Sequence, residues 1–281
     1  MKNKLHTLIQ YIVPHHALSR LGSWIANCRW HWLKTWIIRD FIQRYQVDLH
    51  LARFEKIEEY ENFNRFFTRL LKSEHRPIVQ GKNDVASPVD GNISQIGTIC
   101  EETLFQAKGF DFSLTSLLGG DVTAARSFYN GKFATFYLAP RDYHRVHMPY
   151  PGRLRTTIFI PGKLFSVNPK TVQTIPQLFA RNERLVCLFD TDIGPMAVIL
   201  VGAMLVGSIK TVWSTVSSSK TISVQSYPNP LILERGAELG HFEMGSTVII
   251  LFAKEAIEWA NNLKENASLQ MGQLIATVAS K

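Results

Sequence analysis

Beyond residue 90 the chain is cut into short β-prone runs, each closed by a turn, and that pattern limits it to a core built from sheet. Asn92 to Ile99 alternates apolar and polar residues, Lys132 to Leu138 (KFATFYL) is a short β run, and Leu154 to Ile160 is another. Leu185 to Phe189 and Pro195 to Val201 flank Asp190-Thr-Asp-Ile-Gly194, a hairpin turn by composition. Val206 to Trp213, Ser246 to Phe252 and Gln273 to Val278 complete the set, and Ala256 to Leu263 reads as a short helix between the last two. Few long helices follow residue 75 and there is no βαβ alternation. The expected class is α+β, an antiparallel β-rich core with amphipathic helices at its N-terminus.

Those helices carry a different chemistry. Residues 1–50 hold seven Lys or Arg against two Asp, a local +5 within a net charge of +8, and four of the six Trp. Leu5, Leu8, Ile9 and Ile12 stand at helical spacing until Pro14. A second helix starts near Ser19 and carries Leu21, Trp24, Ile25, Cys28 and Trp32 on one face, and Asn62 to Lys72 (NFNRFFTRLLK) reads as a third. Such helices either pack on their own domain or lie on an anionic membrane surface, where Trp beside Lys and Arg is the usual composition. Nucleic acid competes for a basic chain, but no nucleic-acid-binding motif is present. The longest apolar run, Met196 to Gly207, is too short to span a bilayer. Cys28, Cys100 and Cys187 are odd in number and widely spaced, which fits a reducing compartment without a disulfide framework. The expected division is a membrane-docking segment, 1–50, and a catalytic domain, 51–281.

Three short stretches carry chemistry. Gly245-Ser246-Thr247 stands at the mouth of the run Val248 to Phe252. It reads as a turn into a strand, but a serine hydroxyl beside a glycine carbonyl can also attack that carbonyl when a base takes its proton. The ester so formed can eliminate and hydrolyse to a pyruvoyl ketone, which serves an amine substrate as an electron sink. Pro140-Arg-Asp-Tyr-His144-Arg-Val-His147-Met-Pro149 supplies two imidazoles that titrate near neutral pH. His-x-x-His is also a metal-pair spacing, but no third ligand stands at a recognisable distance, so no metal is expected. Ser87-Pro-Val-Asp90-Gly91 is a tight turn whose Asp90 either bonds its own turn or orients a histidine. Asp90, His147 and Ser246 would make a Ser–His–Asp set, without the Gly-x-Ser-x-Gly elbow of the hydrolases.

Taken in order, these stretches resemble the bacterial, pyruvoyl-dependent phosphatidylserine decarboxylases. The likeness also covers Phe66-Phe-Thr-Arg69, Lys108-Gly109, Ser113-Leu114, Leu117-Leu-Gly119, Pro161-Gly-Lys-Leu-Phe-Ser166-Val-Asn-Pro169, Val201-Gly202, Val206-Gly-Ser-Ile209 and Gly240-His-Phe-Glu-Met-Gly-Ser-Thr247. Met244 stands where the family often has leucine, a volume-conserving exchange. The resemblance implies self-cleavage between Gly245 and Ser246 into a large chain, 1–245, and a small chain, 246–281, with Ser246 becoming the pyruvoyl cofactor. It implies that His147 takes the Ser246 proton, that Asp90 holds the tautomer of His147, and that His144 serves decarboxylation as proton donor or its organiser. Tyr137 and Ser166 are candidate substrate contacts, against core packing and turn capping. The implied substrate is phosphatidylserine and the product phosphatidylethanolamine. The implied assembly is a homodimer of paired chains, bound peripherally at the cytoplasmic face of the bacterial inner membrane. A pyruvoyl decarboxylase of a soluble amino acid, a non-catalytic lipid-binding protein and a Ser–His–Asp hydrolase remain as alternatives.

Overall fold

A computed structural model describes residues 10, 15–107, 110–203, 209–214, 219–243 and 246–280. The expected first helix apart from Gln10, Lys108-Gly109, residues 204–208 and 215–218 and the Met244-Gly245 pair lie outside the described residues, as does the side chain of Ser246. In chain order the elements are α1 (His15–Ala26), α2 (His31–Tyr45), α3 (Phe63–Phe67), β1 (Asp84–Ala86), β2 (Gly91–Thr98), β3 (Thr103–Ala107), β4 (Phe110–Ser113), α4 (Leu114–Leu117), α5 (Val122–Arg126), β5 (Lys132–Leu138), β6 (Arg145–His147) and β7 (Gly152–Ile160). There follow α6 (Pro169–Val172), α7 (Leu178–Arg181), β8 (Arg184–Thr191), β9 (Gly194–Gly202), β10 (Ile209–Thr211), β11 (Ser223–Ser226), β12 (Ile232–Leu233), β13 (Glu238–Phe242), β14 (Ser246–Phe252), β15 (Ile257–Trp259), β16 (Ser268–Leu269) and β17 (Leu274–Val278).

The main sheet runs β11-β7-β8-β9-β14-β5-β2-β16, with β12 also on β7. Its ladders are antiparallel, as the lack of βαβ units requires. Smaller sheets, β10-β13-β6 and β1-β17-β15, flank it. β14 lies between β9 and β5 and is buried on both faces. Val248, Ile250 and Phe252 join one core cluster with Phe136, Leu138 and Leu200. Ile249 and Leu251 join a second with Phe133, Ile199 and Val201. Burial on both sides explains why this strand reads as a continuous apolar run rather than an alternating one.

Two expected helices fall to tertiary pairing. The helix at Asn62 to Lys72 extends only over Phe63–Phe67. Asn62 Oδ1 caps it by accepting from Arg65 N at 2.9 Å, but beyond Thr68 the backbone turns to the 51–53 segment, with Arg53 N donating to Leu70 O and Lys72 N to Leu51 O. The helix at Ala256 to Leu263 is instead β15, paired with β17. There Ile257 is buried and Trp259 meets the Phe252 ring edge-on at 6.4 Å, contacts that an isolated short helix would not supply. The helix expected from Ser19 into the Trp region is two helices, broken at 27–30.

A third cluster joins α2 to the turn before the core, with Phe41 packed on Phe63, Phe66 and Phe67. We predict that Ile250→Ala, which empties the centre of β14, destabilises the protein by about 2–5 kcal/mol in urea unfolding; a loss below about 1 kcal/mol would mean that this strand is not the packing centre.

Candidate active site

β2, β5, β14 and β9 end together at one edge of the main sheet. Ser246, the first residue of β14, pairs with Leu138 on one side and Gly202 on the other. Asn92 pairs with Tyr137 one rung away, so Asp90 leaves β2 beside the same edge. Gly91 has φ 153° there, and a Cβ on it would lie 2.5 Å from the Tyr137 carbonyl oxygen. The turn thus approaches β5 more closely than any side chain would allow.

The turn itself is tied to the histidines. Ser87 Oγ donates to Val89 O at 2.8 Å, and the Pro88 carbonyl accepts from His147 N at 2.8 Å. The Asp90 carboxylate is fully occupied. It accepts from Arg76 Nε at 2.8 Å, from Arg76 Nη2, and from the Met271 backbone N–H at 2.8 Å. Both side chains are buried, so the pair is held by its own hydrogen bonds rather than by solvent.

This corrects one expected contact. Asp90 makes no hydrogen bond to His147; the Nδ1 of His147 faces the Gly236 carbonyl at 2.8 Å instead. A carbonyl can only accept, so Nδ1 carries the proton and Nε2 presents its lone pair. That lone pair faces the Tyr143 hydroxyl at 3.1 Å. The tautomer is set by a backbone carbonyl, and Asp90 acts on the ring only through space. Burial pushes the His147 pKa below its ordinary value, against the Gly236 hydrogen bond and the fields of Glu238 and Asp90.

His144 is fully buried. Its Nδ1 donates to Asp142 O at 2.9 Å, its Nε2 has no partner, and its ring lies 4.1 Å from the Phe67 ring centre. Burial pushes its pKa down to about 3. The ring is neutral at any physiological pH, with a bare lone pair on Nε2, so it accepts a proton or hydrogen bond before it can donate one. Phe242 N donates to the His144 carbonyl at 3.2 Å, and β13 pairs with β6, which laces the approach to residue 246 onto the histidine loop.

Tyr137 is half-buried and lines a cleft with Asn92, Gln95, Val167, Gln173 and Asn266. Ser166 does not line it. The Ser166 hydroxyl accepts from Asn168 Nδ2 at 2.9 Å, and Asn168 in turn caps α6 by accepting from Thr171 N. That is the turn-capping alternative. Sequence reasoning did not single out Tyr143, the Gly236 carbonyl, Arg76 or Arg69. Tyr143 at least lay within the histidine stretch; nothing in sequence spacing joins Arg76 to Asp90 or Gly236 to His147.

Comparison with known proteins gives the family. The family model described as phosphatidylserine decarboxylase matches residues 63–277, and a second model, described as PSD, matches 5–46. The chain belongs to the phosphatidylserine decarboxylase family and is an enzyme, a decarboxylase. It is similar to the phosphatidylserine decarboxylase proenzyme of Pseudomonas fluorescens (strain Pf0-1), at 49% identity over 98% of this chain and 99% of the relative. The proenzyme of that name from Azotobacter vinelandii is 50% identical over 98% of each.

Arg76→Gln leaves the Asp90 carboxylate buried with one backbone donor. The expected cost is about 3–5 kcal/mol in chemical unfolding, and a change under about 1 kcal/mol would show that the pair does not hold the turn.

Proposed function

We propose that this chain cleaves itself between Gly245 and Ser246 and then removes CO2 from phosphatidylserine at a membrane surface, leaving phosphatidylethanolamine. The observation that carries the reading is the state of the two histidines in the segment that bonds to β13, the strand that leads into β14. Each spends Nδ1–H on a backbone carbonyl and keeps Nε2 for chemistry. A pyruvoyl group made from Ser246 would supply the electrophilic ketone and electron sink that a side-chain set of this kind lacks.

For cleavage, His147 is the base. Its depressed pKa keeps it unprotonated at neutral pH, so Nε2 is ready to take the serine proton. The Tyr143 hydroxyl on Nε2 must turn aside or pass the proton along. Asp90, clamped by Arg76, adds negative potential that favours the imidazolium formed in that step. For decarboxylation, the buried His144, packed against Phe67, organises the headgroup through its unpartnered Nε2. The cleft lined by Tyr137, which pairs with Thr247 next to Ser246, is where we place the headgroup's approach.

Docking falls to the N-terminal helices, and the enzyme is peripheral. Among the described residues no helix is long and apolar enough to cross a membrane. Trp24, Trp30, Trp32 and Trp36 are 61–67% exposed, while Lys34, Thr35 and Ile38 of α2 face inward. The outward tryptophans and the basic balance suit the headgroup layer of anionic lipid on the cytoplasmic side. Deleting the helices outright would also strip Phe41 from Phe67, which packs against His144. Replacing the four tryptophans by alanine is the cleaner test. It should weaken binding to phosphatidylserine vesicles at least about tenfold and leave self-cleavage intact; unchanged vesicle binding contradicts the docking role.

Two tests address the chemistry. By share of residues in 31.9 kDa, intact mass of the purified protein should show chains of about 28 and about 4 kDa, and Ser246→Ala a single uncut chain. One uncut species from both overturns the self-cleavage. In freshly translated chain, the cleavage rate should be flat from about pH 7 upward and fall only below the ordinary histidine value of about 6.5, because the base form is lost as pH drops through a depressed pKa. An inflection above pH 7 would exclude His147 in this neutral state as the base.

A further inference from the structure

Among the described residues, Arg69 is the one arginine or lysine with buried side-chain nitrogens that have no partner. Its Nη2 donates to Arg141 O at 2.8 Å, while Nε and Nη1 are unmatched, and the side chain is 5% exposed. Other buried or half-buried arginines differ. Arg184 spends Nε, Nη1 and Nη2 on the carbonyls of Leu117, Asn182 and Ser116. Arg76 spends its fork on Asp90 and Nη1 on His75 O, and Arg145 holds Thr68 O and Glu238.

A buried guanidinium with unspent donors is costly unless an anion completes it. Among the described residues no carboxylate bonds it. Asp90 is committed to Arg76 and Met271, and Asp142 Oδ2 accepts from Ala139 N at 2.7 Å. Both carboxylates act on Arg69 through space without bonding it. The Phe66 ring, 5.5 Å from the guanidinium carbon, walls one side.

Arg69 also lies by the His144 loop. Its charge is felt by the His144 ring. Phe67, two residues earlier, packs against that ring at a tilt, with centroids 4.1 Å apart, and the carbonyl that anchors Arg69 belongs to Arg141 of the same loop. A cation with unspent donors and an acceptor without a partner, His144 Nε2, therefore belong to one buried neighbourhood.

We infer that Arg69 binds the phosphate of the phospholipid headgroup and holds that headgroup beside His144. The inference rests on the phospholipid-decarboxylase reading. The substrate carries two anionic groups, and the chemistry selects between them. The carboxylate must lose its charge as CO2 leaves, so a tight ion pair to it would stabilise the ground state and raise the barrier. The phosphate keeps its charge from substrate to product. A guanidinium on the phosphate binds ground state, transition state and product alike, and supplies the charge-assisted N–H donors that oxyanions prefer.

The test compares wild type, Arg69→Gln and Arg69→Lys, acting on dihexanoyl-phosphatidylserine with dihexanoyl-phosphatidylethanolamine as product inhibitor. Arg69→Gln should raise KM about 10- to 100-fold and weaken product inhibition by the same factor, with kcat within about threefold of wild type. Arg69→Lys should fall between. A cleaved Arg69→Gln enzyme with unchanged KM and product inhibition overturns the inference, as does a loss confined to kcat. If Arg69→Gln gives no soluble enzyme, wild type decides. Inorganic phosphate should compete with substrate where acetate at equal ionic strength does not, and competition weakens in Arg69→Lys. Equal competition by acetate, or none by phosphate, overturns it. Mass of the two chains, taken on every sample, separates this failure from failure of self-cleavage, which would leave wild type uncut.

Discussion

Where Ser246 stands depends on the register of β14. All seven of its residues pair with β5 on one side and β9 on the other. A slip of one residue would send Val248, Ile250 and Phe252 to the cluster now filled by Ile249 and Leu251, and the reverse. Each set packs against different neighbours, so a slip exchanges well-fitted side chains across both cores. The double-sided burial that makes β14 the centre of the sheet also fixes which residue sits on the edge rung, beside Leu138 and Gly202. The position we propose as reactive is set by packing several residues away from it.

The second constraint is how buried polar groups are satisfied around that rung. Asp90 is saturated by Arg76 and the Met271 amide, which immobilises the turn from which Pro88 holds the backbone of His147. His147 and His144 each give one ring proton to a carbonyl. What is left over is a small set of unsatisfied or lightly held groups, His147 Nε2, His144 Nε2 and two nitrogens of Arg69, in a region where burial makes each of them costly. Elsewhere the buried arginines Arg76 and Arg184 are satisfied by a carboxylate and by carbonyls. Thr35, Asn64 and Thr135 also keep buried polar atoms without a partner, but Arg69 and His144 join an unspent cation and an unspent imidazole at the histidine loop, the physical mark of a site that waits for a ligand.

Much of the sheet was readable in advance, because its signals are local. Lys132 to Leu138 and Ser246 to Phe252 carry their β character in their own side chains, and both strands have those bounds. The Asp190–Gly194 turn joins β8 to β9 as its composition implied. The misread helices are places where a partner decides. Leu70 to Lys72 follows the 51–53 backbone, and Ile257 to Trp259 follows β17, pairings that no window of neighbouring residues contains. The site divides the same way. His144, His147 and Asp90 stood out by residue type within short motifs. The groups that set their state, Gly236 O, Arg76 and Phe67, come from 89, 14 and 77 residues away in sequence and are brought in only by the fold.

Both histidines are neutral, with the proton on Nδ1 and the Nε2 lone pair left to accept one. Imidazole 15N chemical shifts in a histidine-labelled Ser246→Ala chain, followed from neutral to acid pH, measure this directly. The account predicts the Nδ1–H tautomer for both rings at neutral pH, with His144 still neutral at about pH 4. An Nε2–H tautomer for either ring, or a His147 already protonated at pH 7, would contradict it.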